Sequence, residues 1–165
     1  MGAYIKSEGK GIDDLKKGLE FLKHHKLLIG IPEKEAFHAE NGGHEISNVA
    51  LAFIHTNGSP KRGIPPRPFL EPGLVSTGAV DRISDLMREA ARDALNGQEG
   101  AALAKLNAAG LEGQGSVQDY IGEGIAPPNA PSTVRAKAKK GSTSPVPLID
   151  TTSMQKSITY VIEEV

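Results

Sequence analysis

Ile64-Pro65-Pro66-Arg67-Pro68-Phe69-Leu70 places three prolines within seven residues. Each proline holds its own φ at about −65° and lacks an N–H. Each also drives the residue before it, here Ile64, Pro65 and Arg67, out of the α region. The segment therefore reads as a stiff, extended strut that is excluded from the middle of a sheet. It delivers Phe69 and Leu70 to a fixed place as core anchors and leads through Glu71-Pro72 into a helix. Pro72 suits a first helical turn, where its missing N–H has no partner in any case. Arg67 rides on this rigid support with its planar guanidinium preorganised for an ion pair to another element or another subunit, and it is expected to point outward.

Downstream of the strut the spacing predicts a helix over about 72–96. Leu74, Ala79, Ile83, Leu86, Ala90, Ala94 and Leu95 form its apolar stripe. The opposite face carries unfavourable like-charge pairs, Asp85 with Glu89 and Arg88 with Arg92. The i,i+3 pairs Asp85–Arg88 and Glu89–Arg92 are expected to balance them. Asn96-Gly97 stops this helix. A second helical region over about 99–123 carries Leu103, Leu106, Leu111, Val117, Tyr120 and Ile121. Gly110, Gly113 and Gly115 cost it propensity, so a break near Gly113 is expected. The two regions form a helical hairpin.

Upstream, Ile12, Leu15, Leu19 and Leu22 recur at spacings of three and four and predict an apolar helix stripe. Asp13 and Asp14 fall in its first turn and Lys23, His24 and His25 in its last, the order that the helix dipole favours. Leu27-Leu28-Ile29-Gly30-Ile31, stopped by Pro32, reads as a buried strand over 26–31. A short strand is expected over 3–6 and a glycine-bearing loop over 33–45. Ser47 is expected to cap a helix over about 48–55, apolar nearly all round and so buried on most sides. Residues 56–63 form a turn bearing Lys61 and Arg62.

Residues 125–147 read as a long loop or arm, a length that usually serves function. Within it Ser132 is expected to cap one or two turns over 133–139. Arg135, Lys137, Lys139 and Lys140 form the only dense basic run. Asp150 is expected to cap a short turn over 151–155. The alternation through Ser157-Ile158-Thr159-Tyr160-Val161-Ile162 predicts a half-buried strand over 157–165, paired with 26–31. The expected fold is α+β, one domain over 1–165. A small, mostly antiparallel sheet packs against several helices, including the long hairpin.

Composition narrows function mainly by exclusion. The chain has 165 residues, net charge −1 and no cysteine. Attraction to nucleic acid must therefore be local, and disulfides and thiolate metal sites are ruled out. No leader segment or membrane-length apolar run is present, so the chain is expected to be made in a cytoplasm. His24, His25, His38, His44 and His55, with Glu40 or Glu45, show no metal-binding spacing, and no metal or cofactor is expected. Leu148-Ile149-Asp150-Thr151-Thr152 has the look of an aspartic-protease loop, but that chemistry needs two such carboxylates. No phosphate loop, nucleophile elbow or Cys–His pair occurs. No catalytic residue is assigned. The basic run lacks interleaved aromatics, which leaves only non-specific phosphate contact.

In their order along the chain, three segments resemble the virion-morphogenesis or tail-completion proteins of the bacteriophage neck. One runs from Leu27 through Ala50 and Ala52 to His55-Thr56-Asn57-Gly58. The second is the strut with Arg67. The third joins Pro131-Ser132-Thr133, the basic turn, Pro147-Leu148-Ile149-Asp150-Thr151 and Ser157-Ile158-Thr159-Tyr160. The chain departs from that pattern at Thr152, where glycine is common, and at Asn57. The resemblance implies a non-enzymatic structural subunit of the virion, a homo-oligomer in a ring, commonly hexameric. Its partners would be the portal, connector or head-completion proteins on one side and the tail terminator or tube protein on the other. Expected interface residues are Lys61, Arg62, Arg67, Arg135, Lys137, Lys139 and Lys140, with non-specific contact to DNA passing through the lumen. A tail terminator capping the tube is the alternative. More distant alternatives are a hydrolase using the histidines or Asp150, and a nucleic-acid-binding module using the same basic residues.

Overall fold

β1 (His25–Gly30) and β2 (Thr159–Glu164) pair antiparallel as a two-stranded sheet, with Leu27 opposite Ile162 and Ile29 opposite Tyr160. The expected pairing of the two chain halves and the α+β class are both present. The computed structural model describes residues 9–32, 46–142, 144–150 and 152–165. The strand expected over 3–6 and the loop over 33–45 lie outside them. Because side chains alternate across a strand, only one face of the sheet is covered. Leu28 and Val161, opposite each other on the other face, stay 47% and 39% exposed. β1 is therefore half-buried, although its apolar run implied a fully buried strand.

The covered face rests on α5 (Glu99–Glu123), which packs against α4 (Ala79–Leu95) as the expected helical hairpin. α5 is one unbroken helix of 25 residues, so the break expected near Gly113 does not occur. Its glycines are where the sheet approaches. A Cβ on Gly110 would meet the Tyr160 ring, and one on Gly113 would meet Ile29 Cδ1. Close packing offsets the propensity that glycine costs. Tyr160 completes the contact by donating from its hydroxyl to Asn107 Oδ1 at 3.0 Å.

α1 (Gly9–His24) lies along α4, but not on its leucine stripe. Gly18 is the buried residue, set against the backbone of Ala94 and Leu95. Ile12, Leu15 and Leu19 remain 47%, 46% and 54% exposed. The expected core face thus points largely to solvent, because Gly18 against the backbone of Ala94 and Leu95 lets the two helices come close. Phe21 and Leu22 alone of this helix's large apolar residues pack on the cluster of Ala90, Ala94, Ala102 and Leu106. α1 is described from Gly9, and Asp13 and Asp14 lie beyond the first turn of that span.

The helix expected over 72–96 is two helices. α3 (Leu70–Val75) ends where Ser76 Oγ and Thr77 Oγ1 donate to the carbonyls of Pro72 and Gly73. Gly78, at φ 68°, then redirects the chain into α4. Pro72 does fall in the first turn of α3. On α4, Arg88 pairs with Asp85 at 2.8 Å as expected, whereas Glu89 pairs across the hairpin with Lys105.

A second cluster joins Phe69, Val117, Ile121, Ile125, Met154 and Ile158. α2 (Asn48–Asn57) is capped by Ser47, whose Oγ accepts from the Ala50 N–H at 3.1 Å. It packs there through Ala52 and Leu51, and Asn48 is buried as well. Val49 and Phe53 are 39% and 70% exposed, so α2 is not covered on most sides as expected. α7 (Ser153–Lys156) follows a left-handed Thr152 at φ 62°, and Asp150 is not its cap. α6 (Pro131–Lys139) starts at Pro131 after Ala130, one residue before the expected Ser132 cap, because proline already holds a helical φ.

Candidate functional site

The strut places its two anchors as expected. Phe69 is fully buried in the second cluster, and Leu70 opens α3 and packs beside it. Arg67 is different. It is only 5% exposed. Its Nε donates to the Pro127 carbonyl at 2.8 Å and its Nη2 to the Pro128 carbonyl at 3.1 Å. Its backbone N–H donates to the His55 carbonyl at 2.6 Å. The outward-facing interface role assigned to Arg67 is therefore corrected. It is an inter-element clasp made to carbonyls, with no ion pair among the described residues. A bend-free proline strut next to a proline-rich loop leaves carbonyls without N–H neighbours, and the guanidinium satisfies them.

The arm over 125–147 is tied down at its base. Asn129 Nδ2 donates to the Pro145 carbonyl at 2.9 Å, and Ile125 and Pro147 are buried. Lys137 Nζ donates to the Val146 carbonyl at 2.9 Å and also to the Ile149 carbonyl. Burial draws this ammonium below its ordinary pKa, Asp150 opposes that shift, and Arg67 adds to it. Lys137 is thus an internal anchor and not a free interface cation. Arg135, Lys139 and Lys140 are exposed on α6 and after it, and Lys61 and Arg62 are exposed on the 3-10 turn Pro60–Arg62. The structure brings Arg67 and Lys137 close together at the arm and leaves the other five at the surface.

His55 completes this junction. Burial first, then the charges of Arg67 and Lys137, hold its imidazole below its ordinary pKa. Its Nδ1 is buried without a hydrogen-bond partner among the described residues.

A cleft of about 560 Å³ opens between the turn after α3 and α5. Its polar lining includes Ser76, Thr77, Arg82, Glu112, Ser116, Asp119 and Glu123. Arg82 Nε donates to Glu112 at 2.6 Å and Nη1 to the Thr77 carbonyl at 3.0 Å. Sequence reasoning missed this cleft, although Glu112, Ser116, Asp119 and Glu123 recur at helical spacing on one face of α5. The chain has no significant match among protein-family models, curated proteins or solved structures. Among the described residues no group of three His, Asp or Glu is placed to hold a metal ion. None of their helices is long and apolar enough to cross a membrane. His38, His44, Glu40 and Glu45 lie outside the described residues.

Proposed function

We propose that the chain is a structural subunit of a tailed-bacteriophage virion, a tail-completion protein that forms a ring joining the head connector to the tail tube. The order of the strut, the basic turn and the C-terminal segment supports the family. The observation that carries the assembly is apolar surface left open in two separate places. Ile12, Leu15 and Leu19 form one exposed row on α1, and Val49 and Phe53 form another on α2. Neither row is part of a core cluster: α1 packs through Phe21 and Leu22 on the cluster around Leu106, and α2 packs through Leu51 and Ala52 on the cluster around Val117. Those two positions lie about 16 Å apart along α5. Exposed apolar patches mark interaction surfaces, and a ring needs two different patches that meet head to tail.

In this reading the chain works by shape and not by catalysis. Its neighbours are portal or head-completion proteins on one face and the terminator or tube protein on the other, and the ring is commonly six-fold. Mass measurement of the purified chain, alone and mixed with neck proteins, is expected to give a closed ring. A chain that stays monomeric in both settings and is missing from purified virions overturns the reading.

A further inference from the structure

α6 is a nine-residue helix in which every residue except Lys137 is exposed. So short a helix is marginal on its own. Lys137 secures one side of it through the Val146 and Ile149 carbonyls. Arg135 and Lys139 each lie two residues from Lys137, and hence roughly 160° around the helix from it. They project from the same outer face, one turn apart. Neither pairs with a carboxylate among the described residues.

The cleft on α5 has the complementary pattern. Glu112, Asp119 and Glu123 line it against one cation, Arg82, which is already engaged by Glu112. Asp119 and Glu123 are exposed and make no ion pair among the described residues. They are also one helical turn apart, so their rise of about 6 Å matches that of Arg135 and Lys139. Leu111 in the lining is 59% exposed and offers apolar contact at the rim.

We infer that α6 of one copy docks with Arg135 and Lys139 against Asp119 and Glu123 in the α5 cleft of the next copy. The inference rests on the ring reading and adds a charged pair of surfaces to the apolar rows on α1 and α2. The two charged surfaces are different patches of one chain, so the contact is head to tail. Charge complementarity sets orientation and partner choice, while the apolar rim adds buried area.

The test is a charge exchange on the full chain. Arg135→Glu with Lys139→Glu, or Asp119→Lys with Glu123→Lys, is expected to weaken self-association by about ten-fold or more. Combining the four substitutions is expected to restore it. All four positions are exposed, so circular dichroism should be unchanged. The native chain has no cysteine, which allows a second measurement. Arg135→Cys in one copy and Asp119→Cys in another should form a disulfide only when the two variants are mixed. If the native chain forms rings but neither exchange weakens them, the docking is overturned and the ring reading stands. A native chain that never associates, alone or with neck proteins, overturns both. If the α6 exchange lowers retention on duplex DNA while association is unchanged, the basic face serves phosphate, and the docking is overturned.

Discussion

Arg67 carries a charge inside the fold that is met by two carbonyl oxygens and by no carboxylate among the described residues. Hydrogen bonds to a charged group are individually strong, and removing the donor strands its buried acceptors. Arg67→Ala is expected to lower unfolding stability by about 2–4 kcal/mol in urea titration. Loss of assembly at unchanged stability would return Arg67 to a partner-facing role. His55 gives a pH test. Its imidazole sits below the ordinary 6.5, chiefly through burial and then through Arg67 and Lys137. The unfolded chain takes up that proton near 6.5, and the folded chain accepts it only at lower pH. Stability should therefore fall as pH drops below 6.5. His55→Gln should flatten the stability profile there, and an unchanged slope would refute the assignment. Thr152 holds φ 62°, a left-handed conformation that is unfavourable for a β-branched residue. Thr152→Gly should raise the stability by about 0.5–1 kcal/mol, read as a higher melting temperature. A loss would show that the threonine side chain matters more than the backbone.

At the scale of elements, the glycines of the helices separate into two kinds. Gly18 abuts the backbone of Ala94 and Leu95, and Gly110 abuts the Tyr160 ring, whereas a Cβ on Gly115 meets nothing within 4 Å. Alanine gains about 1 kcal/mol of helix propensity at each site. Gly18→Ala and Gly110→Ala are nonetheless expected to destabilise by about 1–3 kcal/mol, because overpacking outweighs that gain. Gly115→Ala should stabilise by about 0.5–1 kcal/mol. Equal responses of Gly18 and Gly115 in thermal unfolding would remove the close-packing account of α1. The same distinction explains why the helix starts and stops were only partly legible. Ser47, Pro72 and the glycine after Asn96 act locally and were readable. The stop at Ser76-Thr77-Gly78 carries a local signal too, hydroxyls followed by glycine, but the helical spacing expected over 72–96 runs through it.

At the scale of the whole molecule, α5 links two clusters, and the helices α1 and α2 that pack on them keep apolar rows exposed on other faces. Leu15→Lys with Leu19→Lys should change monomer stability little, since both positions are about half exposed. It should weaken association about ten-fold or more if this face is an interface. Sedimentation at several concentrations reads the effect. Unfolding of the variant, or unchanged association, would show that the row on α1 has another role.

Local rules and hydrophobic spacing were enough to establish the α+β class, the hairpin of α4 and α5, the antiparallel pairing of β1 with β2 and the burial of Phe69. The helices, the strands and the burial of Phe69 depend on periodicity, on proline stiffness or on alternation, which are properties of neighbouring residues, and the pairing follows because these are the two apolar strands the chain offers. Tertiary structure alone decided that Gly18 and not the leucine row would face α4, that α5 would run through its glycines, and that Arg67 and Lys137 would turn inward to carbonyls. Those outcomes depend on how closely two backbones approach and on which acceptors lie opposite a donor. Both are set by residues outside the local element, 60 positions away for Arg67 and Pro127 and 9 for Lys137 and Val146.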